Sequence, residues 1–200
     1  GQNMDFSSAP QLKSKQVHAH LLMLSLSLLL IKSDEQIGIY GDIKTGRSER
    51  TLDKITVKLS DKSSDDILPD ISNFLLPSHT GFIGIGDFLS PIEAINQHIE
   101  FLAARAGSGL LIQVLDPAEI DLCTLSGRVH FEGINASETQ LVNNVQAISS
   151  EYSQRIKEHN THIQNICKHH GWHYILHRTD TPVEQTLHEI WEMNAELGGR

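Results

Sequence analysis

The chain has 200 residues, within the span of roughly 100–200 usual for one domain, so it is expected to form one domain over residues 1–197 with a short tail at 198–200. Lys and Arg number 16 against 25 Asp and Glu, a formal charge of −9; with no Lys/Arg cluster in the sequence, this balance argues against broad binding to a nucleic-acid backbone. Cys123 and Cys167 form no CxxC pair and imply no disulfide framework, which fits a reducing compartment.

The first predicted element is a helix over residues 13–33. Its centre, HLLMLSLSLLLI (residues 20–31), is almost wholly apolar. It is shorter than the about 20 residues a membrane span needs, and Lys13, Lys15, Lys32, Asp34 and Glu35 flank it. A deeply buried core helix is the expectation. QIGIYGD (36–42) follows as a short strand ending at Asp42, then a polar loop, KTGRSER (44–50), then a helix over 51–61 capped by Thr51. DDILPDISNFLLP (65–77) is broken by proline and holds one or two helical turns.

GFIGIGDFL (81–89) is a continuous apolar strand, a pattern that needs cover on both faces and points to a parallel sheet. It runs into a helix over 90–107, where Ser90, Pro91 and Glu93 form a start signal and Gly107 a stop. GLLIQVLDP (109–117) repeats the apolar strand and again ends in aspartate. GRVHFEG and SETQLV alternate about a Gly-Ile-Asn-Ala turn and predict a β-hairpin. A long helix over 143–171 stops at Gly171, WHYILHRTD (172–180) is the last strand, and 181–197 is the last helix.

Strands alternate with helices, so the fold class is α/β: a three-layer α/β/α arrangement around a doubly wound, mainly parallel sheet with a small β-hairpin insertion. Such sheets hold ligands beyond the carboxyl ends of their strands. Asp42, Asp87, Asp116 and Asp180 all fall at predicted strand ends, and His177, Arg178 and Asp180 meet at one tip. No GxSxG, HExxH, P-loop or GxGxxG motif is present. Cys167, His170 and His173 lack the second ligand pair that a zinc site needs.

Four segments, MDFSSAPQLKSK, GFIGIGDFLSP, IQVLDPAE and GWHYILHRTDTP, resemble successive landmarks of the domain of unknown function 58 family, and the likeness runs from Met4 to about Leu197. It implies a Rossmann-like, von Willebrand factor A-like fold with a metal-ion-dependent adhesion site built from Asp, Ser and Thr oxygens and suited to Mg²⁺. In that family an Asp-x-Ser-x-Ser motif ends the first, central strand, just ahead of the stretch matched by Met4 and Phe6. Here Asn3 stands in the place of the last serine, so the first strand and most of the motif are expected to be absent from residues 1–200. Asp87 matches the aspartate after the fourth strand, with Gly86 where the family carries serine, and the metal-site threonine has no counterpart.

The resemblance therefore implies a degenerate site with Asp87 as its one metal-ligand position and no cofactor, Mg²⁺ entering only if the upstream motif precedes Gly1. Asn3, Asp5, Asp42, Asp87, Asp116, His177, Arg178 and Asp180 form the expected partner-binding rim. The function it implies is a bacterial, cytoplasmic, non-enzymatic adaptor working with a MoxR-type AAA+ ATPase and self-associating through the sheet edge that the absent strand leaves. The alternative is a metal-dependent hydrolase acting through Asp87, Asp116, His177 and Arg178.

Overall fold

The computed structural model describes residues 2–40, 43–60, 80–121, 129–132, 139–142 and 145–198. It is a mixed α/β fold in which helices flank a three-stranded parallel sheet, an arrangement compatible with a Rossmann-like fold. The strands are β3 (Gly81–Gly86), β4 (Ser108–Leu115) and β7 (His173–Arg178), in the order β3-β4-β7. Register runs Gly81 to Ser108 at one end and Leu115 to Arg178 at the other, so all three strands release their chains on the same side.

β4 is central and buried along nearly its whole length, as its mostly apolar sequence favours, with Gln113 the buried polar residue within it. Its side chains alternate between two cores. Ile112 and Val114 face α1 (Lys15–Lys32) and α6 (Val183–Gly198), meeting Ala19, Leu22, Leu26, Val183 and Ile190. Leu111 faces α3 (Ile92–Ala103) and α5 (Val145–His169), where Ile95, Ile99, Leu102, Ile163, Cys167 and Trp172 close the second core. Gly109 makes room there: a Cβ on it would lie 1.9 Å from Trp172 Cδ2. Trp172 uses the space to stack on Phe82, with ring centroids 5.7 Å apart.

The structure departs from the sequence reading at several places. β1 (Ile37–Ile39) does not join the parallel sheet; it pairs antiparallel with β2 (Ile43–Gly46), which occupies the start of the expected loop. Thr51 lies within α2 (Glu49–Ser60) rather than capping it. At α3, Pro91 takes the N-cap position without any side-chain cap bond, so the expected Ser90–Glu93 box does not form. The hairpin is present as β5 (Val129–Glu132) and β6 (Thr139–Val142), paired antiparallel. Asp42 and the segment 65–77 lie outside the described residues.

Helix α1 was expected to be deeply buried, and only one side of it is. Lys15, His18, Ala19, Leu22, Leu26 and Ser27 are buried, while Val17, Leu21 and Leu28, on the opposite face, stay 40%, 38% and 41% exposed. No helix among the described residues is long and apolar enough to cross a membrane.

Candidate functional site: the strand tips

The opening of the tip after β3 is set by two glycines. Asp87 is followed by Phe88, whose φ of +47° is the left-handed conformation that side-chain-bearing residues rarely adopt. This turns the Phe88 ring back over the strand: Cβ atoms on Gly84 and Gly86 would sit 3.5 Å and 3.7 Å from it. Two bonds hold the turn. The buried Gln113 donates Nε2–H to the Asp87 carbonyl at 2.8 Å, and His159 Nε2 meets the Phe88 carbonyl at 2.8 Å. Gln113 Oε1 in turn accepts from the Tyr174 hydroxyl at 2.5 Å, and burial pushes the Tyr174 phenol above its ordinary range.

After β4 the chain turns directly into α4 (Pro117–Ile120). Asp116 caps it. Its Oδ1 accepts from the Ala118 amide at 2.9 Å, and Glu119 reaches back so that its Oε2 accepts from the Asp116 amide at 2.9 Å. The other Asp116 oxygen, Oδ2, accepts from the Ser8 amide at 3.0 Å and the Thr179 hydroxyl at 3.3 Å. This fully buried carboxylate thus fastens the N-terminal segment, the β4 tip and the β7 tip together.

Between the first two tips lies Lys15. Its side chain is fully buried, and its Nζ donates to Glu119 Oε1 at 2.6 Å and Asp87 Oδ2 at 3.2 Å. Burial raises the Glu119 carboxyl above the usual carboxylate range, against the opposing pull of Lys15. Lys15 sits in the first turn of α1, one residue after the N-cap Ser14. Sequence reading took it for a polar flank of the apolar run; the signal was a lysine at the positive end of a helix dipole, where local electrostatics disfavour it.

The β7 tip divides its groups. Arg178 and Asp180 form a two-bond pair at the surface, Nε–Oδ1 at 3.0 Å and Nη2–Oδ2 at 2.7 Å. The pairing holds the Asp180 carboxyl below its ordinary range and the Arg178 guanidinium above its own. His177 points the other way, into the protein, and is 1% exposed. Its Nε2 lies 2.8 Å from Nδ1 of His18, and its Nδ1 lies 2.7 Å from the Thr186 hydroxyl. Burial, and then the neighbouring His18, push the His177 imidazole down to about 4, and burial lowers His18 as well.

Of the expected rim, Asp87 and Asp116 come together through Lys15 and Glu119, while Arg178 and Asp180 pair with each other at the surface. Asp5 is exposed on the short 3₁₀ turn at Gln2–Asp5, which also contains Asn3, and its charge is felt at His20. The residues missed in the sequence were Lys15, His18 and Glu119.

The site's oxygens bear directly on the divalent ion that the family resemblance implies. Asp87 Oδ2 and Glu119 Oε1 already face an ammonium, Glu119 Oε2 accepts from the Asp116 amide, and both oxygens of Asp116 are occupied by N–H and O–H donors. The residues present therefore do not fit a bound Mg²⁺, which asks for about six oxygen ligands near 2.1 Å. No protein-family model, curated protein or solved structure matches the chain.

Proposed function

We propose that the chain is a non-enzymatic protein-interaction domain with a von Willebrand factor A-like fold, acting as a cytoplasmic adaptor for a MoxR-type AAA+ ATPase. The observation that carries the reading is the outer face of α1. A helix that is apolar on all sides is made to be covered on all sides. The sheet and α6 cover one face; Val17, Leu21 and Leu28 on the other stand open at a spacing that places them on one stripe. The choice of a MoxR-type partner comes from the sequence resemblance alone.

Two further features support association over catalysis. β4 is the single strand partner of β3 among the described residues, and Ile83 on β3 is 38% exposed, which leaves an edge for self-association. The polar groups at the tips are bonded to one another, and His177, one of the residues the hydrolase alternative names, is turned into the core.

The test is binding of the purified chain to a purified MoxR-type ATPase, with sedimentation to follow self-association. Leu21→Lys with Leu28→Lys should weaken the complex by about tenfold or more while leaving the circular dichroism unchanged. Undiminished binding by that variant would remove the α1 face from the interface. Turnover of phosphatase or esterase substrates that is lost on Asp87→Ala would replace the adaptor reading with the hydrolase.

A further inference from the structure

The place of Lys15 is contrary to local preference. The first turn of a helix carries the positive end of its dipole and favours acidic side chains. A lysine there, with its ammonium out of water, is stable only if fixed negative groups surround it. Those groups come from far along the chain: Asp87, 72 residues away, and Glu119, 104 residues away. Each comes from a different strand tip. The Lys15 side chain is fully buried, whereas those of Asp87 and Glu119 are 16% and 15% exposed, so the cation lies beneath the carboxylates and the carboxylates form the outer surface.

From this geometry we infer that Lys15 is the resident cation of the strand-tip site: its ammonium occupies the position in which a divalent ion would be held, and the surface presented by Asp87 and Glu119 is assembled without metal. The ammonium organises the two tips as a bound ion would. It brings the Asp87 turn and the α4 cap to a fixed separation and neutralises one of the charges they share. An ion held between Asp87 Oδ2 and Glu119 Oε1 would have to displace it, because those two oxygens are at 3.2 Å and 2.6 Å from Nζ. Asp116 offers no alternative oxygen, since its two are spanned by the Ser8 and Ala118 amides and the Thr179 hydroxyl. The inference concerns this site alone and does not rest on the adaptor reading.

The experiment uses Mg²⁺ and Mn²⁺ alone as probes, by calorimetric titration and thermal melting, on the full chain and three variants: Asp87→Asn, Lys15→Met and Lys15→Met with Asp87→Asn. The wild-type chain should show no ion binding that Asp87→Asn removes, and its melting temperature should not move in millimolar Mg²⁺. Lys15→Met should melt lower and gain Mn²⁺ affinity by about tenfold or more over wild type, a gain that Asp87→Asn abolishes. If Lys15→Met does not fold without ions, recovery of its helical signal on adding Mn²⁺ supports the inference equally. Asp87-dependent Mg²⁺ binding by the wild-type chain would overturn it. So would a folded Lys15→Met chain with no gain in Mn²⁺ affinity, or an unfolded one that no Mn²⁺ concentration restores.

Discussion

Acidification should destabilise this protein through His177. In the folded chain burial and then the adjacent His18 lower the imidazole from 6.5 to about 4, with Asp180 opposing weakly. A histidine with a lowered folded value takes up its proton more readily when unfolded. The stability it contributes is complete above 6.5 and is lost as pH falls toward about 4. At about 1.4 kcal/mol per unit, the whole interval is worth about 3 kcal/mol, and the part lost by pH 5 is about 2 kcal/mol. His177 is 1% exposed, so solvent screens little of this. His18, His20 and His98 are also lowered, mainly by burial, and add in the same direction. Urea unfolding at about pH 7.5, 6 and 5 measures the effect. His177→Gln should be less stable than wild type at neutral pH, because the His18 and Thr186 contacts are disturbed, but its stability should fall by about 2 kcal/mol less between pH 7.5 and 5. Equal pH slopes for the two chains would refute the assignment, as would a wild-type stability that does not fall with acid.

Gly109→Ala should cost about 1–3 kcal/mol or more, because its Cβ would overlap the Trp172 ring and break the stack on Phe82. Gly107→Ala, where nothing lies within 4 Å, is the control, and chemical denaturation showing equal stability for both variants would contradict the packing described. Asp116→Ala should lower stability by about 2–3 kcal/mol, since it removes the cap of α4 and strips partners from the Ser8 amide and the Thr179 hydroxyl. A loss of only a few tenths of a kcal/mol in the same assay would show that the three segments are held by other contacts.

What the sequence determined by itself was local. GFIGIG is wholly apolar, GLLIQVL nearly so, and HYILHR carries an apolar centre, which suits strands covered on both faces, and all three became the parallel sheet. Gly171, with a φ of +69°, ends α5 where its missing side chain allowed it to. Aspartates at strand ends marked the side of the sheet on which the candidate site lies. The tertiary structure decided the rest. β1 took β2 as its partner instead of entering the sheet, since an apolar run specifies a strand but not its neighbour. α1 could not be assigned an inner face from a sequence that is apolar all round; contact with β4 and α6 chose Ala19, Leu22 and Leu26 and left Val17, Leu21 and Leu28 outside. The pairing of His18 with His177 spans 159 positions, and that of Lys15 with Glu119 spans 104. Periodicity and capping patterns act over a few residues, whereas these polar groups are matched only when folding brings them out of water together, and burial then makes each partner obligatory.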